Sequence, residues 1–181
     1  GVAFLELDQL DEAVKSYKAA LKLKPDFIEA INNLGIAFYN LSQMEDAIKS
    51  YEKVIAIKPD FVKAHNNLGN ALMELGQLDE AAKSYKEALK VEPDFVEAIN
   101  NLGITFYKLH QLDDAMNCYE RALVFNPDFA DAHNNIGTIL LARGQLDEAV
   151  KSYKSALKLK PDYLEANNNL GTAYNKLLQT Q

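Results

Sequence analysis

Five prolines recur along the chain at a constant interval of 34 residues, and five of the eight glycines keep the same interval. The prolines are Pro25, Pro59, Pro93, Pro127 and Pro161, and the glycines are Gly35, Gly69, Gly103, Gly137 and Gly171. The 181 residues make five such periods with 11 residues over, so almost the whole chain is repeat. A fixed period of about 20 to 50 residues is typical of a solenoid or array. The interval therefore predicts a single repeat array over residues 1–181 and excludes most enzyme folds.

The composition narrows the class of partner. With 48% hydrophobic and 25% charged residues, the chain has the composition of a folded protein. Its net charge of −7 argues against a nucleic-acid partner, because lysine and arginine must neutralise the phosphates. No apolar run approaches the ~18 residues of a membrane span, so no membrane partner is expected. The expected location is the cytoplasm. Because the chain starts inside a repeat, we also expect that residues upstream have been removed.

Each repeat contains two helical patterns. In residues 28–61 the first has apolar residues at spacings of three and four, the periodicity of an amphipathic helix: Ala30, Leu34, Ala37, Phe38 and Leu41. The second runs from about Glu45 to Ile57 and has the inward stripe Ala47, Ile48, Tyr51, Val54 and Ile55. The pattern predicts an all-α fold. It comprises a partial repeat (1–27), four full repeats (28–61, 62–95, 96–129 and 130–163) and a lone C-terminal helix (164–178).

Local signals mark the ends of these helices. Asp26 precedes the first helix and Glu29 follows three residues later, which predicts a capping box. The combination recurs as Asp94 with Glu97, Asp128 with Asp131, and Asp162 with Glu165. Between the helices, one position holds residues that tolerate positive φ and predicts a tight turn: Asp8, Ser42, Gly76, His110 and Gly144.

These residues resemble the tetratricopeptide repeat. The pattern is carried by Leu34-Gly35, Phe38, Ala47, Tyr51, Val54 and Pro59, and it recurs as Leu68-Gly69, Leu72, Ala81, Tyr85, Ala88 and Pro93. The tryptophan of the family is replaced by Ile31, His65, Ile99, His133 and Asn167. The resemblance covers essentially the whole chain. It implies a right-handed superhelical α-solenoid, with the first helices lining a concave groove.

Pairs of asparagines occupy the first helices. At about 100° per residue, Asn32, Ile36 and Tyr39 point roughly 140–180° away from the core, with Glu29 and Asn33 on a nearer flank. The pairs are Asn32-Asn33, Asn66-Asn67, Asn100-Asn101, Asn134-Asn135 and Asn168-Asn169. A primary amide both donates and accepts hydrogen bonds, so such an array can pair with the backbone of an extended peptide. The alternative is that the amides bond to each other or to backbone between adjacent helices.

A second resemblance favours peptide binding. Asn-Asn-Leu-Gly followed by Gly-Gln-Leu-Asp-Glu-Ala is similar to the repeats of O-linked N-acetylglucosamine transferases and of many bacterial proteins. In those transferases the asparagine before Leu-Gly forms a ladder that binds peptide backbone, which implies this role for Asn33, Asn67, Asn101, Asn135 and Asn169. Other family members grip acidic C-terminal tails of chaperones with lysines and an arginine that the asparagine columns lack. The column at Glu29 is mostly acidic, so a neutral or basic peptide is expected.

A longer period of 68 residues lies beneath the shorter one. Leu10 to Asp26 and Leu146 to Asp162 are identical at 16 of 17 positions. Ile36 with Tyr39 returns as Ile104 with Tyr107, whereas the intervening repeats carry Asn70 with Met73 and Thr138 with Leu141. This alternation predicts a groove with alternating aromatic and smaller pockets. The alternative is that Tyr39 and Tyr107 only pack against the next first helix.

The sequence predicts a binding protein, with no catalytic residue, metal site or cofactor. His65 and His133 replace the packing tryptophan, which indicates satisfied and partly buried imidazoles, and His110 is a turn residue. The leading function is a protein-interaction scaffold that holds an extended peptide. The alternatives are a substrate-presenting arm of a glycosyltransferase or sulfotransferase, and a self-assembling structural module. Apolar residues in the last helix, Tyr174, Leu177 and Leu178, predict end-to-end self-association.

Overall fold

The computed structural model describes residues 9–179, which form ten α-helices joined by turns. The expected helix remnant in residues 1–7 and the turn residue Asp8 lie outside this range. The helices are α1 (Leu10–Leu23), α2 (Ile28–Asn40), α3 (Met44–Ile57), α4 (Val62–Glu74), α5 (Leu78–Val91), α6 (Val96–Lys108), α7 (Leu112–Phe125), α8 (Ala130–Ala142), α9 (Leu146–Leu159) and α10 (Leu164–Gln179). The prediction of an all-α solenoid of helix-turn-helix repeats is confirmed.

The predicted inward stripes form the core. Ala30, Leu34, Ala37 and Phe38 are buried on α2, and Ala47, Tyr51 and Val54 are buried on α3. Equivalent residues are buried in the later repeats, where many of them are alanines. Each hairpin thus buries its apolar stripe partly against its own partner helix and partly against a neighbouring hairpin, as expected for stacked repeats.

The predicted turn between the two helices of a hairpin is confirmed. Ser42 and His110 have φ values of 58° and 60°, and Gly76 and Gly144 have values of 73° and 74°. Glycine adopts this left-handed conformation without a steric penalty, and serine and histidine do so at a modest cost. His110 is therefore a turn residue, as predicted.

The capping boxes predicted at Asp26, Asp94 and Asp128 are wrong. The first helices begin two residues after the aspartates, with Phe27, Phe61, Phe95 and Phe129 at the N-cap positions of α2, α4, α6 and α8, and no side chain caps these ends. The reason lies in the proline turn. The Phe27 amide bonds to the Lys24 carbonyl, so Asp26 is placed inside a tight turn and not at the start of the helix.

The helices group into two compact units, Gly1–Pro93 and Asp94–Gln181. In unit 1 each of the helices α1 to α5 packs on the next, and α2 also contacts α4. In unit 2 the helices α6 to α10 pack in the same way, and α8 contacts both α6 and α10. First helices inside a unit are therefore covered by second helices and also by neighbouring first helices.

The glycine two residues after an asparagine pair has a packing role at Gly35, Gly69, Gly103 and Gly137, which the contacts Gly35–Tyr51 and Gly103–Tyr119 illustrate. A Cβ atom placed on Gly35 would lie 2.6 Å from Cε1 of Tyr51, and one on Gly103 would lie 2.5 Å from Cε1 of Tyr119. No side chain fits between helix and ring at these distances. Glycine at this position therefore lets a tyrosine of the second helix pack directly against the backbone of the first.

The imidazoles at the tryptophan position are satisfied as predicted. Nε2 of the buried His65 lies 2.7 Å from the Pro59 carbonyl, and Nε2 of His133 lies 3.1 Å from the Pro127 carbonyl. These contacts tie a first helix to the proline turn before it. Among the helices of residues 9–179, none combines the length and the apolar character needed to cross a bilayer.

Candidate functional site

Each unit contains a cleft beside its first helices, and the two clefts occupy equivalent repeat positions. The first cleft, in unit 1, has a volume of about 200 Å³ and is lined by Ile36, Tyr39, Tyr51, Asn67 and Asn70. The second cleft, in unit 2, has a volume of about 370 Å³ and is lined by Asn100, Ile104, Tyr107, Tyr119, Asp131, Asn135, Thr138, Tyr163 and Glu165. Every residue of the first cleft has a counterpart in the second at the 68-residue period.

The aromatic wall of each cleft comes from the predicted tyrosines. Tyr39 is half-buried against a core cluster that α1, α2, α3 and α4 form, and it still lines the first cleft. Tyr107 is 37% exposed and lines the second cleft. Both the cleft and the packing interpretation apply to Tyr39, because one part of its side chain packs on the core while another part faces the cleft.

Each cleft also contains a tyrosine from the inward-facing stripe of a second helix. The sequence predicts that such a tyrosine is a core residue. Tyr51 and Tyr119 are at most 2% exposed, yet each lines its cleft. Burial raises the pKa of both hydroxyls well above its ordinary value, so both are neutral near pH 7. These hydroxyls can donate or accept a hydrogen bond at the floor of the cleft.

The tyrosines of the intervening repeats have their hydroxyls occupied. The Tyr85 hydroxyl donates to Oδ1 of Asn70 at 2.7 Å, and the Tyr153 hydroxyl lies 3.4 Å from Oγ1 of Thr138. At the positions equivalent to Asn70 and Thr138, the repeats that contain Tyr51 and Tyr119 carry isoleucine, which offers no acceptor. The 68-residue alternation therefore decides which tyrosine hydroxyls remain available to a cleft.

The second cleft differs from the first in its acidic rim. Asp131 and Glu165 line it, and none of its lining residues is basic. Burial raises the pKa of the neighbouring Tyr163 hydroxyl, and the negative charges of Asp131 and Glu165 raise it further. The residue equivalent to Asp131 two repeats earlier is Lys63, so that repeat has a positive charge where the second cleft has a negative one.

The outward orientation predicted for the first asparagine of each pair is wrong. Asn32, Asn66, Asn100 and Asn134 are at most 8% exposed, whereas Asn168 on α10 is exposed. The prediction from 100° per residue assumed that each first helix has a single buried face. A first helix inside a unit also contacts a neighbouring first helix, and this contact covers a second stripe.

Amide side chains in unit 2 bond to each other across neighbouring first helices. Nδ2 of Asn135 donates to Oδ1 of Asn100 at 3.1 Å, and Nδ2 of Asn169 donates to Oδ1 of Asn134 at 3.1 Å. Asn134 in turn donates to Oε1 of Glu165 at 3.1 Å. The second asparagine of one repeat thus bonds to the first asparagine of the repeat before. In unit 1, Oδ1 of Asn32 is buried and has no hydrogen-bond partner among residues 9–179.

The predicted binding residues are only partly brought together. The clefts gather Ile36, Tyr39, Tyr107, Asn67, Asn100 and Asn135. The half-buried Asn33, Asn101 and Asn169 and the exposed Glu29 line neither cleft. The acidic column to which Glu29 belongs nevertheless reaches the second cleft through Asp131 and Glu165.

Tyr51, Tyr119 and Tyr163 line the clefts but were not predicted to do so from the sequence. The first two lie at a position of the second helix that faces inward, which is typical of a core residue. The signal that would have found them is the residue 15 positions earlier, which is isoleucine in their repeats and Asn70 or Thr138 in the others. Tyr163 could have been found as the one tyrosine in a column otherwise made of phenylalanine: Phe27, Phe61, Phe95 and Phe129.

Structural comparison places the fold among known repeat proteins. The crystal structure of MamA has a TM-score of 0.80 and 26% identity, with 88% of this chain and 93% of that chain covered. TTC0263, a thermophilic TPR protein of Thermus thermophilus, has a TM-score of 0.78 and 24% identity over 96% of this chain and 95% of its own. YrrB, described as a TPR protein with an unusual peptide-binding site, has a TM-score of 0.73 and 21% identity over 92% of this chain and 86% of its own.

Sequence comparison identifies the repeat. No curated protein sequence matches the chain significantly. The family profile described as TPR repeat matches residues 1–42, 38–76, 69–110, 106–142 and 137–177, and so covers almost the whole chain. The chain belongs to the TPR repeat family.

Proposed function

We propose that this protein is an interaction scaffold that binds an extended peptide segment of a protein partner along the first helices of its units. The observation that carries the proposal is the repetition of one cleft at the 68-residue period, with an isoleucine, two tyrosines and an asparagine at equivalent positions. Each cleft can accept one side chain of such a segment.

The peptide backbone would be held by the second asparagine of each pair. Asn135 uses one N–H for its bond to Asn100, and within the described part of the chain no other bond occupies its Oδ1 or its second N–H. Asn67 lines the first cleft at the equivalent position. One amide group offers two acceptor sites and two donors, so an asparagine held by a neighbour can still bond to a peptide unit. The bond to Asn100 also fixes the orientation of the Asn135 amide before a ligand arrives, which lowers the entropic cost of binding.

The clefts would select the side chains. The tyrosine rings provide large apolar surfaces at a low entropic cost, and the hydroxyls of Tyr51 and Tyr119 provide polar groups at the floor. The acidic rim of the second cleft favours neutral or basic ligands over acidic ones. A binding role in the cytoplasm, without catalysis, is the function we infer.

The proposal is tested by selection from a randomised peptide library. The chain is compared with a variant carrying Asn67→Ala, Asn101→Ala and Asn135→Ala, and thermal melting of both proteins reports on folding. We expect the variant to lose at least about tenfold in affinity for the selected peptides, because each lost bond between neutral groups costs on the order of 1 kcal/mol. Equal binding of the same peptides by both proteins would refute the asparagine part of the proposal, and selection of no peptide would refute the scaffold itself.

Self-association is a second candidate, supported by α10. Leu164 and Leu178 are each 71% exposed, and Tyr174 is also exposed, so this helix presents apolar side chains to solvent. We propose that this helix pairs with another copy of the chain at high concentration. Sedimentation of the chain and of a Tyr174→Lys, Leu178→Lys variant tests this. A monomeric profile of the unmodified chain at high concentration would exclude it.

A further inference from the structure

The second cleft combines features that together define the chemistry of one ligand group. Two carboxylates, Asp131 and Glu165, line it without a basic residue among the lining side chains. Tyr107 supplies an exposed aromatic ring on the same cleft. The volume of about 370 Å³ lies within the range of small-molecule sites and is ample for one long side chain.

A largely buried polar side chain without a partner faces this same cleft. Tyr119 is 2% exposed, and within residues 9–179 no hydrogen bond engages its hydroxyl, whereas the hydroxyl of Tyr85 bonds to Asn70. The side chain is buried but it lines the cleft, so a ligand that supplies a donor or an acceptor can bond to the hydroxyl. This observation is independent of the carboxylates, since Tyr119 lies on α7 and the carboxylates lie on α8 and α10.

Neighbouring side chains surround both carboxylates. Oε1 of Glu165 accepts a hydrogen bond from the fully buried Asn134, and Asp131 lines the cleft together with Tyr163. The Lys160 ammonium lies 4.7 Å from the centre of the Tyr163 ring. Because Lys160 already occupies a face of that ring, Tyr107 is the ring on which a ligand can stack.

We propose that the second cleft binds the side chain of an arginine in the peptide ligand. A guanidinium group is planar and carries five N–H donors, so it can stack on Tyr107 while donating to Asp131, Glu165 and the Tyr119 hydroxyl. A lysine ammonium would satisfy the charge but not the stacking and the divergent donors. An acidic side chain is excluded by repulsion from both carboxylates. This inference rests on the proposed function, and it specifies one side chain of the ligand.

The first cleft is an internal control for this specificity. It contains the equivalent isoleucine, tyrosines and asparagine. Among the described residues no carboxylate lines it, and the one carboxylate whose charge acts on Tyr39 is that of Glu74. We expect arginine to bind the second cleft more tightly than the first. A neutral side chain of similar shape should bind the two clefts with similar affinity.

The test uses blocked single amino acids, so it does not depend on finding a natural peptide. N-acetyl-arginine methylamide and N-acetyl-citrulline methylamide, which differ in charge but little in shape, are titrated into the isotope-labelled chain. NMR follows the side-chain amide signals of Asn100 and Asn135 for the second cleft and of Asn67 for the first. We expect saturable shifts of Asn100 and Asn135 with the arginine probe, at least about tenfold weaker binding of the citrulline probe, and weaker effects on Asn67.

Two variants complete the test. Asp131→Lys introduces the lysine that the chain already has at the same repeat position, Lys63, so the helix tolerates it. Asp131→Asn removes the charge with little change in shape. Both should weaken the arginine probe at least about tenfold and weaken the citrulline probe less, because only the guanidinium carries a charge that Asp131 neutralises. Equal shifts from the two probes, or unchanged arginine binding in both variants, would overturn the inference. Failure of the library selection with a positive arginine titration would reject the proposed peptide scaffold and leave the arginine site standing.

Discussion

The Asn135 side-chain amide donates a hydrogen bond across 3.1 Å to the side-chain carbonyl of Asn100, which lies on the neighbouring first helix. The same relationship joins Asn169 to Asn134 one repeat later. Asparagine is a mediocre helix former, so its use in the interior of these helices costs stability locally. The bonds between helices offset this cost, and the one made by Asn135 holds its amide beside the cleft. Stacking of the repeats and placement of the amides that line the second cleft therefore depend on the same side chains.

Replacement of a buried asparagine should destabilise the fold, and replacement of its exposed counterpart should not. Asn134 is fully buried and bonds to Glu165 and Asn169, so Asn134→Ala should lower the free energy of unfolding by about 1–3 kcal/mol after allowance for the better helix propensity of alanine. Asn168 occupies the equivalent position but is exposed, and Asn168→Ala should be neutral or slightly stabilising. Urea unfolding of the two variants measures the difference. Equal effects would show that the amide bonds contribute nothing to stability.

The glycine column gives a second matched pair. Gly103→Ala places a methyl group 2.5 Å from the ring of Tyr119, whereas the Cβ position at Gly171 has no neighbour within 4 Å. Both changes gain the same helix propensity, about 1 kcal/mol, so their difference reports the overpacking alone. We expect Gly103→Ala to be less stable than Gly171→Ala by about 1–3 kcal/mol in chemical denaturation. If the two variants unfold alike, the tyrosine rings are not held against the helix as described.

Removal of a tyrosine hydroxyl should have different consequences in adjacent repeats. Tyr85→Phe removes the bond to Asn70 and should lower the free energy of unfolding by about 1 kcal/mol. Tyr119→Phe removes no hydrogen bond within the described part of the protein, so stability should be unchanged while binding of the arginine probe weakens. Thermal melting and the NMR titration together separate the two effects. A larger loss of stability in Tyr119→Phe than in Tyr85→Phe would contradict the assignment of the available hydroxyl.

Stability should fall in alkaline solution because of the tyrosine column. Burial raises the pKa of Tyr51, Tyr85 and Tyr119 in the folded state above the unfolded value of about 10. Below the unfolded pKa this contribution is complete, and above it the unfolded chain releases protons that the folded chain retains, so stability declines as the pH rises. Unfolding free energies measured from about pH 8 to about pH 11, with phenolate absorbance recorded alongside, check this. Ionisation of all tyrosines well before unfolding would be the contrary result.

The repeats, their helices and the positions of Tyr39 and Tyr107 were predictable from the sequence, because each depends on spacing within one or two hairpins. The 34-residue prolines mark the ends of the second helices, and the 68-residue alternation of Ile36 and Asn70 marks the cleft positions. The burial of Asn32 was not predictable from a wheel projection, since the projection treats a helix as having one covered face. In the structure α2 also contacts α4. The role of Tyr119 was missed for a related reason, because the availability of its hydroxyl depends on a residue of the partner helix and not on its own helix.

The most direct measurement is the affinity of a library-selected peptide for the chain and for a variant with Tyr39→Ala and Tyr107→Ala. These tyrosines form the aromatic walls of the two clefts, and each truncation removes contact area from a ligand. We expect at least about tenfold weaker binding, in a variant that stays folded at the temperature of the assay. Unchanged affinity together with a lower melting temperature would show that Tyr39 and Tyr107 serve only to pack the repeats, and it would contradict the proposal that the clefts are binding sites.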